Sequence, residues 1–160
     1  MIIPPLFAAD VMLGKTAKWL RILGFDTFYD NRAGDHFLQD LCRNENRVLL
    51  TRDTRLQQSM PPESSYLVVQ NLPRQQLEEI NLIFGLTKFK LQPRCSVCNG
   101  ELVAIEKIQI REKVPPYVFS TQSIFSQCRQ CQRIYWPGTH LKKIKLFIKN
   151  INKPNDIHSI

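Results

Sequence analysis

The period of the apolar positions changes along the chain, and each change marks an element. Leu6-Phe7-Ala8-Ala9 is a continuous apolar run, short enough for a buried strand, and it ends at Asp10. Leu13, Ala17, Leu20 and Leu23 then recur at helical spacing, predicting a helix over 14–23 with Gly24 at its stop. Thr27-Phe28-Tyr29 reads as a second strand, closed by Asp30. Asp35 precedes a helical run with Phe37, Leu38, Leu41 and Cys42 on one side, which gives Cys42 a packing role. Val48-Leu49-Leu50-Thr51 is a third strand, ending at Arg52-Asp53, and Tyr66-Leu67-Val68-Val69 is a fourth. Pro73 opens another helix, carrying Leu77, Ile80, Ile83 and Phe84 before Gly85.

Strands alternating with helices predict an α/β unit over residues 1–90, with a parallel sheet covered on both faces. Ligands of such sheets bind beyond the carboxyl ends of the strands. Asp10, Asp30 and Asp53 each stand just after a strand. Residues 86–94 form a polar, basic connection with Pro93, where a boundary is expected.

The second unit, 91–150, is organised by cysteine. Cys95-Ser-Val-Cys98 and Cys128-Arg-Gln-Cys131 are two CxxC pairs with 29 residues between them. Two tight turns, each presenting two thiolates, complete the tetrahedral soft-ligand site that Zn²⁺ prefers. Gly100 after the first pair lets the backbone fold back under the metal. A redox pair or two disulfides is the alternative, but no secretory signal supports it. Leu102, Val103, Ile105, Ile108 and Ile110 suggest a strand between the pairs, broken by Val114-Pro115-Pro116. Thr139 can cap a helix with Leu141, Ile144, Phe147 and Ile148 apolar and Lys142, Lys143, Lys145 and Lys149 interleaved. Residues 151–160 read as a polar tail.

Charge separates the two halves. The net charge is +8, yet residues 1–90 hold 11 Lys/Arg against 10 Asp/Glu, while residues 91–160 hold 11 against 4. A basic module beside a balanced one fits nucleic acid, with an anionic protein partner as the alternative. No apolar run reaches the roughly 18 residues that span a bilayer, and the lysine-rich helix has too short an apolar face to lie on one. No membrane partner is expected, and metal-type cysteines point to the cytoplasm.

If Asp10, Asp35 and Asp53 converge, their mutual repulsion is relieved by a hard cation such as Mg²⁺ or Mn²⁺. Such an ion stabilises charge on a phosphodiester in the transition state. Each acid has a plainer reading. Asp35 can be a helix cap, Asp30 can make a turn with Asn31, Asp53 can pair with an arginine, and Asp10 can sit in a surface loop. Lys15, Lys18 and Arg21 recur every three residues on the first helix, and Arg52 adjoins Asp53. These are candidate phosphate ligands, or an ordinary solvated face. Trp19 and Trp136 read as core aromatics, and His140 as a weak phosphate contact.

The stretch Asp10-Val-Met-Leu-Gly-Lys-Thr-Ala-Lys-Trp-Leu-Arg-Ile-Leu-Gly24-Phe-Asp26-Thr-Phe-Tyr-Asp30 closely resembles the opening motif of the Mut-seven C-terminal RNase family. Val48-Leu-Leu-Thr-Arg-Asp53 is similar to its second acidic motif. Arg94-Cys-Ser-Val-Cys-Asn99, Val114-Pro-Pro116 and Tyr135-Trp-Pro-Gly-Thr-His140 resemble its ribbon signature. The resemblance runs from about residue 6 to 145. It implies a PIN-like α/β/α sandwich, then a small β-rich zinc ribbon and a C-terminal helix. It also implies catalytic Asp10, Asp53 and Asp35 on Mg²⁺ or Mn²⁺, Asp30 as a possible further acid, and RNA as substrate. Gln132 stands where the family carries glycine, so strain is expected there if its φ is positive. A non-catalytic RNA-binding or ribosome-associated factor, or a zinc-ribbon protein adaptor, is the rival reading.

Overall fold

The computed structural model describes residues 3–138 and, beyond them, Lys142, Ile144, Leu146, Phe147 and Asn150. The expected Thr139 cap, together with His140, Leu141, Lys143, Lys145, Ile148, Lys149 and the 151–160 tail, lies outside the described residues.

The first sheet has strands β1 (Phe7–Ala9), β2 (Thr27–Phe28), β3 (Val48–Thr51) and β4 (Ser65–Leu67). All pairings are parallel, in the order β2-β1-β3-β4. Four helices connect and cover it: α1 (Gly14–Ile22), α2 (Asp35–Glu45), α3 (Thr54–Gln58) and α4 (Pro73–Phe84). Side chains alternate across a strand, so neighbouring residues enter different cores. Phe7, Ala9 and Leu50 pack with Leu13, Ala17 and Leu20 near α1 and with Leu77 and Ile80 of α4. Ala8 and Leu49 pack the opposite way, against Leu38 and Cys42 of α2, Leu56 of α3, and Met60. The result is the expected α/β/α sandwich. Cys42 is buried as expected, and burial pushes its thiol pKa up to about 11.

α1 stops where the sequence predicts. Gly24 has φ +98°, and a Cβ there would lie 2.4 Å from Leu91 Cβ. Only glycine both takes that backbone conformation and leaves room for the crossing chain. Residues 86–94, the polar, basic connection, also carry apolar side chains that pack on the first unit. Leu86 is buried, and Phe89 and Leu91 pack on the first core.

The second sheet is antiparallel, β5 (Leu102–Ala104), β6 (Ser126–Cys128) and β7 (Ile134–Tyr135) in that order. The strand expected through Ile110 ends earlier. Residues Lys107–Ile110 form a 3₁₀ turn, leaving Ile108 exposed and Ile110 buried with Val114 and Phe125. Val114-Pro115-Pro116 does break the strand, but Pro116 also opens a short helix, α5 (Pro116–Thr121), since proline suits a first helical position. Of the residues near the C-terminus, Ile144 and Phe147 pack on the core of the first sheet.

Candidate functional site

Asp10 follows β1 and is buried. Its Oδ1 accepts from the Met12 amide at 2.8 Å, capping the turn Val11–Leu13. Its Oδ2 accepts from the Arg52 amide at 3.1 Å and from the Thr51 hydroxyl. The same hydroxyl accepts from the Asp53 amide at 2.9 Å. Thr51 therefore links the Asp10 carboxylate to the Asp53 backbone across the carboxyl ends of adjacent strands, and it stands inside the second acidic motif, where only Asp53 has an expected role. Its signal was position: the last residue of a buried strand, between two acidic termini.

Asp53 is the N-cap of α3. Its Oδ1 accepts from the amides of Arg55 at 2.7 Å and Leu56 at 3.1 Å. Both bonds fall on one oxygen, so Oδ2 has no hydrogen-bond donor among the described residues. Asp35 is the exposed first residue of α2, and the cap position is Gly34. Its charge complements the helix dipole without a capping bond. Asp30 makes the turn expected of it, accepting from the Arg32 amide at 2.9 Å.

The bases divide. Lys15 and Lys18 are exposed on α1, with the Lys15 ammonium 5.7 Å from the Trp19 ring centre. Arg52 is half-buried and donates to Asn71 Oδ1, while its Nε has no partner among the described residues. Arg21, expected as a phosphate ligand or part of a solvated face, is neither exposed nor free to bind phosphate. Its side chain is buried, donating to the carbonyls of Thr27 at 2.8 Å, Ser96 at 3.1 Å, Val97 at 3.0 Å and Tyr29 at 3.4 Å. A three-residue repeat turns back by about 60° per step on a helix, so the third member drifts about 120° from the first, into the packed side.

The Arg21 contacts join the parallel sheet to the first cysteine pair, and Asp26 reinforces them. Its carboxylate accepts from Arg47 at 2.7 Å, Arg94 at 3.3 Å and Asn99 Nδ2 at 2.8 Å. Burial works to raise the Asp26 pKa, but the hydrogen bonds from Arg47 and Asn99 and the charges of Arg47 and Arg94 hold it below the usual range. Asn99 Oδ1 in turn accepts from the Thr27 amide at 3.0 Å.

The four thiols Cys95, Cys98, Cys128 and Cys131 have sulfurs all within 4.8 Å of one another. Cys95 and Cys131 stand 3.5 Å apart, and Cys98 and Cys128 3.4 Å. A tetrahedral ion with Zn–S bonds near 2.3 Å needs about 3.8 Å between sulfurs, so the cluster fits structural zinc. Burial works against the Cys95 thiolate, yet hydrogen bonds from the Tyr135 hydroxyl and the Cys98 and Val97 amides bring its pKa to about 6. Among the described residues this is the one group of three or more metal-type ligands drawn so close.

Both turns need a left-handed residue. Asn99 has φ 68° and Gln132 φ 62°, so the strain anticipated at Gln132 is present. Gln132 Nε2 donates to the Arg129 carbonyl at 3.0 Å, offsetting part of it. Gly100 acts differently from expectation. The left-handed residue is Asn99, and Gly100 is needed because a Cβ there would lie 2.8 Å from Cys128 Sγ.

A parallel α/β/α unit with acids at its carboxyl edge is joined to an antiparallel sheet that carries four clustered thiols. The family model for the Mut7-C RNAse domain matches residues 5–148, and the chain belongs to that family. No curated protein and no solved structure matches the chain. No helix among the described residues is long and apolar enough to cross a membrane.

Proposed function

We propose that the protein is a divalent-metal-dependent ribonuclease acting at the carboxyl edge of its parallel sheet. Asp10 and Asp53 would hold Mg²⁺ or Mn²⁺, with Asp35 at the head of α2 as a further ligand. The observation that carries this reading is the Thr51 hydroxyl, bonded to Asp10 Oδ2 and to the Asp53 amide. Mg²⁺ typically takes one or two carboxylates, several waters and substrate phosphate, so a pair of acids suffices. When bound, the ion supplies charge stabilisation to the phosphodiester.

The remaining work falls to the chain. Thr51 and the Met12 and Arg52 amides fix the orientation of the Asp10 carboxylate before substrate arrives. Asp53 keeps one oxygen on the α3 amides, and its other oxygen, with no donor among the described residues, would take the ion. Lys15, Lys18 and Arg52 would bind backbone phosphates. The ribbon, carrying structural Zn²⁺, would supply the basic surface for RNA in the cytoplasm.

Asp53→Asn tests the reading cleanly, since asparagine caps a helix about as well as aspartate. The variant should keep its fold and RNA binding and lose Mn²⁺-dependent cleavage. Undiminished cleavage rejects the assignment. That no three carboxylates among the described residues cluster as the thiols do supports a second reading, a non-catalytic RNA-binding factor with the same fold. Salt-sensitive RNA affinity without metal-dependent turnover would be its signature.

A further inference from the structure

We propose that the concavity between α1, the chain leaving β2 and the first cysteine turn receives a single unpaired nucleotide of an RNA strand. This deepens the ribonuclease reading and rests on it for the identity of the strand. The cavity measures about 670 Å³, within the roughly 300–1,000 Å³ typical of small-ligand sites.

The lining is chemically mixed in a telling way. Lys15 and Lys18 stand three residues apart on α1, so their ammonium groups share one side. Trp19 and Tyr29 contribute aromatic side chains, Asn31 an amide-bearing one, and Ile22, Ser96 and Ile144 complete the lining. Two cations suit the phosphates on either side of a nucleotide, aromatic faces suit a base, and an amide that both donates and accepts suits a base edge. An acidic peptide would satisfy the lysines and leave the rings without a partner. An apolar ligand would satisfy the rings and leave the lysines desolvated.

The location supports the same occupant. The Tyr29 hydroxyl donates to the Val11 carbonyl at 3.3 Å, one residue past Asp10. Gly14, at the rim, begins α1 directly after the turn that Asp10 caps. The pocket thus lies one turn of chain from the acid edge. Its far wall, Ser96, belongs to the Cys95–Cys98 turn, and the Ser96 carbonyl is held by Arg21. The ribbon therefore completes the pocket as well as carrying charge. A base paired in a duplex cannot enter without being unstacked, so the site selects single strands.

The test uses the full-length, zinc-loaded protein without Mg²⁺ or Mn²⁺, and fluorescein-labelled hexauridylate followed by anisotropy. Lys15→Ala/Lys18→Ala should weaken binding about tenfold or more and lower the slope of log affinity against log salt by about 1.4, two phosphate contacts on a single strand. A duplex of the same length should compete poorly. In a Trp136→Phe background Trp19 is the remaining tryptophan of two, and its emission should be quenched on binding. Unchanged affinity and slope in the double variant, equal competition by duplex, or unquenched Trp19 each overturn the pocket. Mn²⁺-dependent cleavage separates this from the parent reading. Asp53-dependent cleavage with an unaffected lysine variant sinks the pocket alone. Pocket-dependent binding without cleavage by the wild type upholds the pocket and sinks the ribonuclease.

Discussion

Replacing Asp26 by alanine removes one carboxylate that serves three partners from three parts of the chain. Arg47 follows α2, Arg94 leads into the first cysteine pair, and Asn99 follows it. Each contact to a charged group is worth about 1.5–3 kcal/mol when buried. The Asp26 side chain is 25% exposed, and Arg47 and Arg94 keep other acceptors in Glu45, the Phe7 carbonyl and the Asn99 carbonyl. Screening and these residual bonds bring the expected loss to about 2–3 kcal/mol. Urea denaturation of the zinc-loaded chain measures it. Because the native Asp26 pKa is lowered, the contribution is complete above the ordinary value of 3.8 and is lost as pH falls through the lowered native value. The gap between wild type and Asp26→Asn should therefore close only in strong acid. A variant with wild-type stability at pH 7 refutes the claim that Asp26 holds the two sheets together.

Other outcomes follow from single contacts. Gly100→Ala should cut zinc affinity about 10- to 100-fold, read by competition with a chromogenic chelator, because the new methyl crowds Cys128 Sγ. Gln132→Gly should raise stability by about 0.5 kcal/mol, the relief of its positive φ exceeding the lost Arg129 bond, and a thermal melt would register the gain. Leu50→Ala, at a fully buried position of β3, should cost about 2–5 kcal/mol in the same melt. Thr51→Val should lower Mn²⁺-dependent cleavage while keeping the fold, since it unhooks Asp10 from the Asp53 amide; retained cleavage would deny the hydroxyl its orienting part.

Where local pattern and tertiary packing agree, residues alone were enough. The runs at 6–9 and 48–50 are apolar throughout because a central parallel strand is buried on both faces, so β1 and β3 and the acids after them were plain. The cysteines announced themselves through spacing. The fourth strand was placed one residue late, at Tyr66 rather than Ser65, and ran two residues past Leu67. α3 went unread because five residues carry too little periodicity, although its cap was singled out. Arg21 was misread because a charge repeat says nothing of what lies opposite it. Asp26 and Asn99 escaped notice as partners because their meeting joins positions 73 residues apart, which no local window contains.

Arg21 carries one further consequence. Two of its four carbonyl acceptors come from the loop bearing the first cysteines. Cutting the chain at residue 90 would strand half of a buried cation's solvation shell. The amino-terminal portion is thus no module to be excised and assayed alone: its helix was shaped around a positive charge that a distant cysteine-bearing loop keeps solvated.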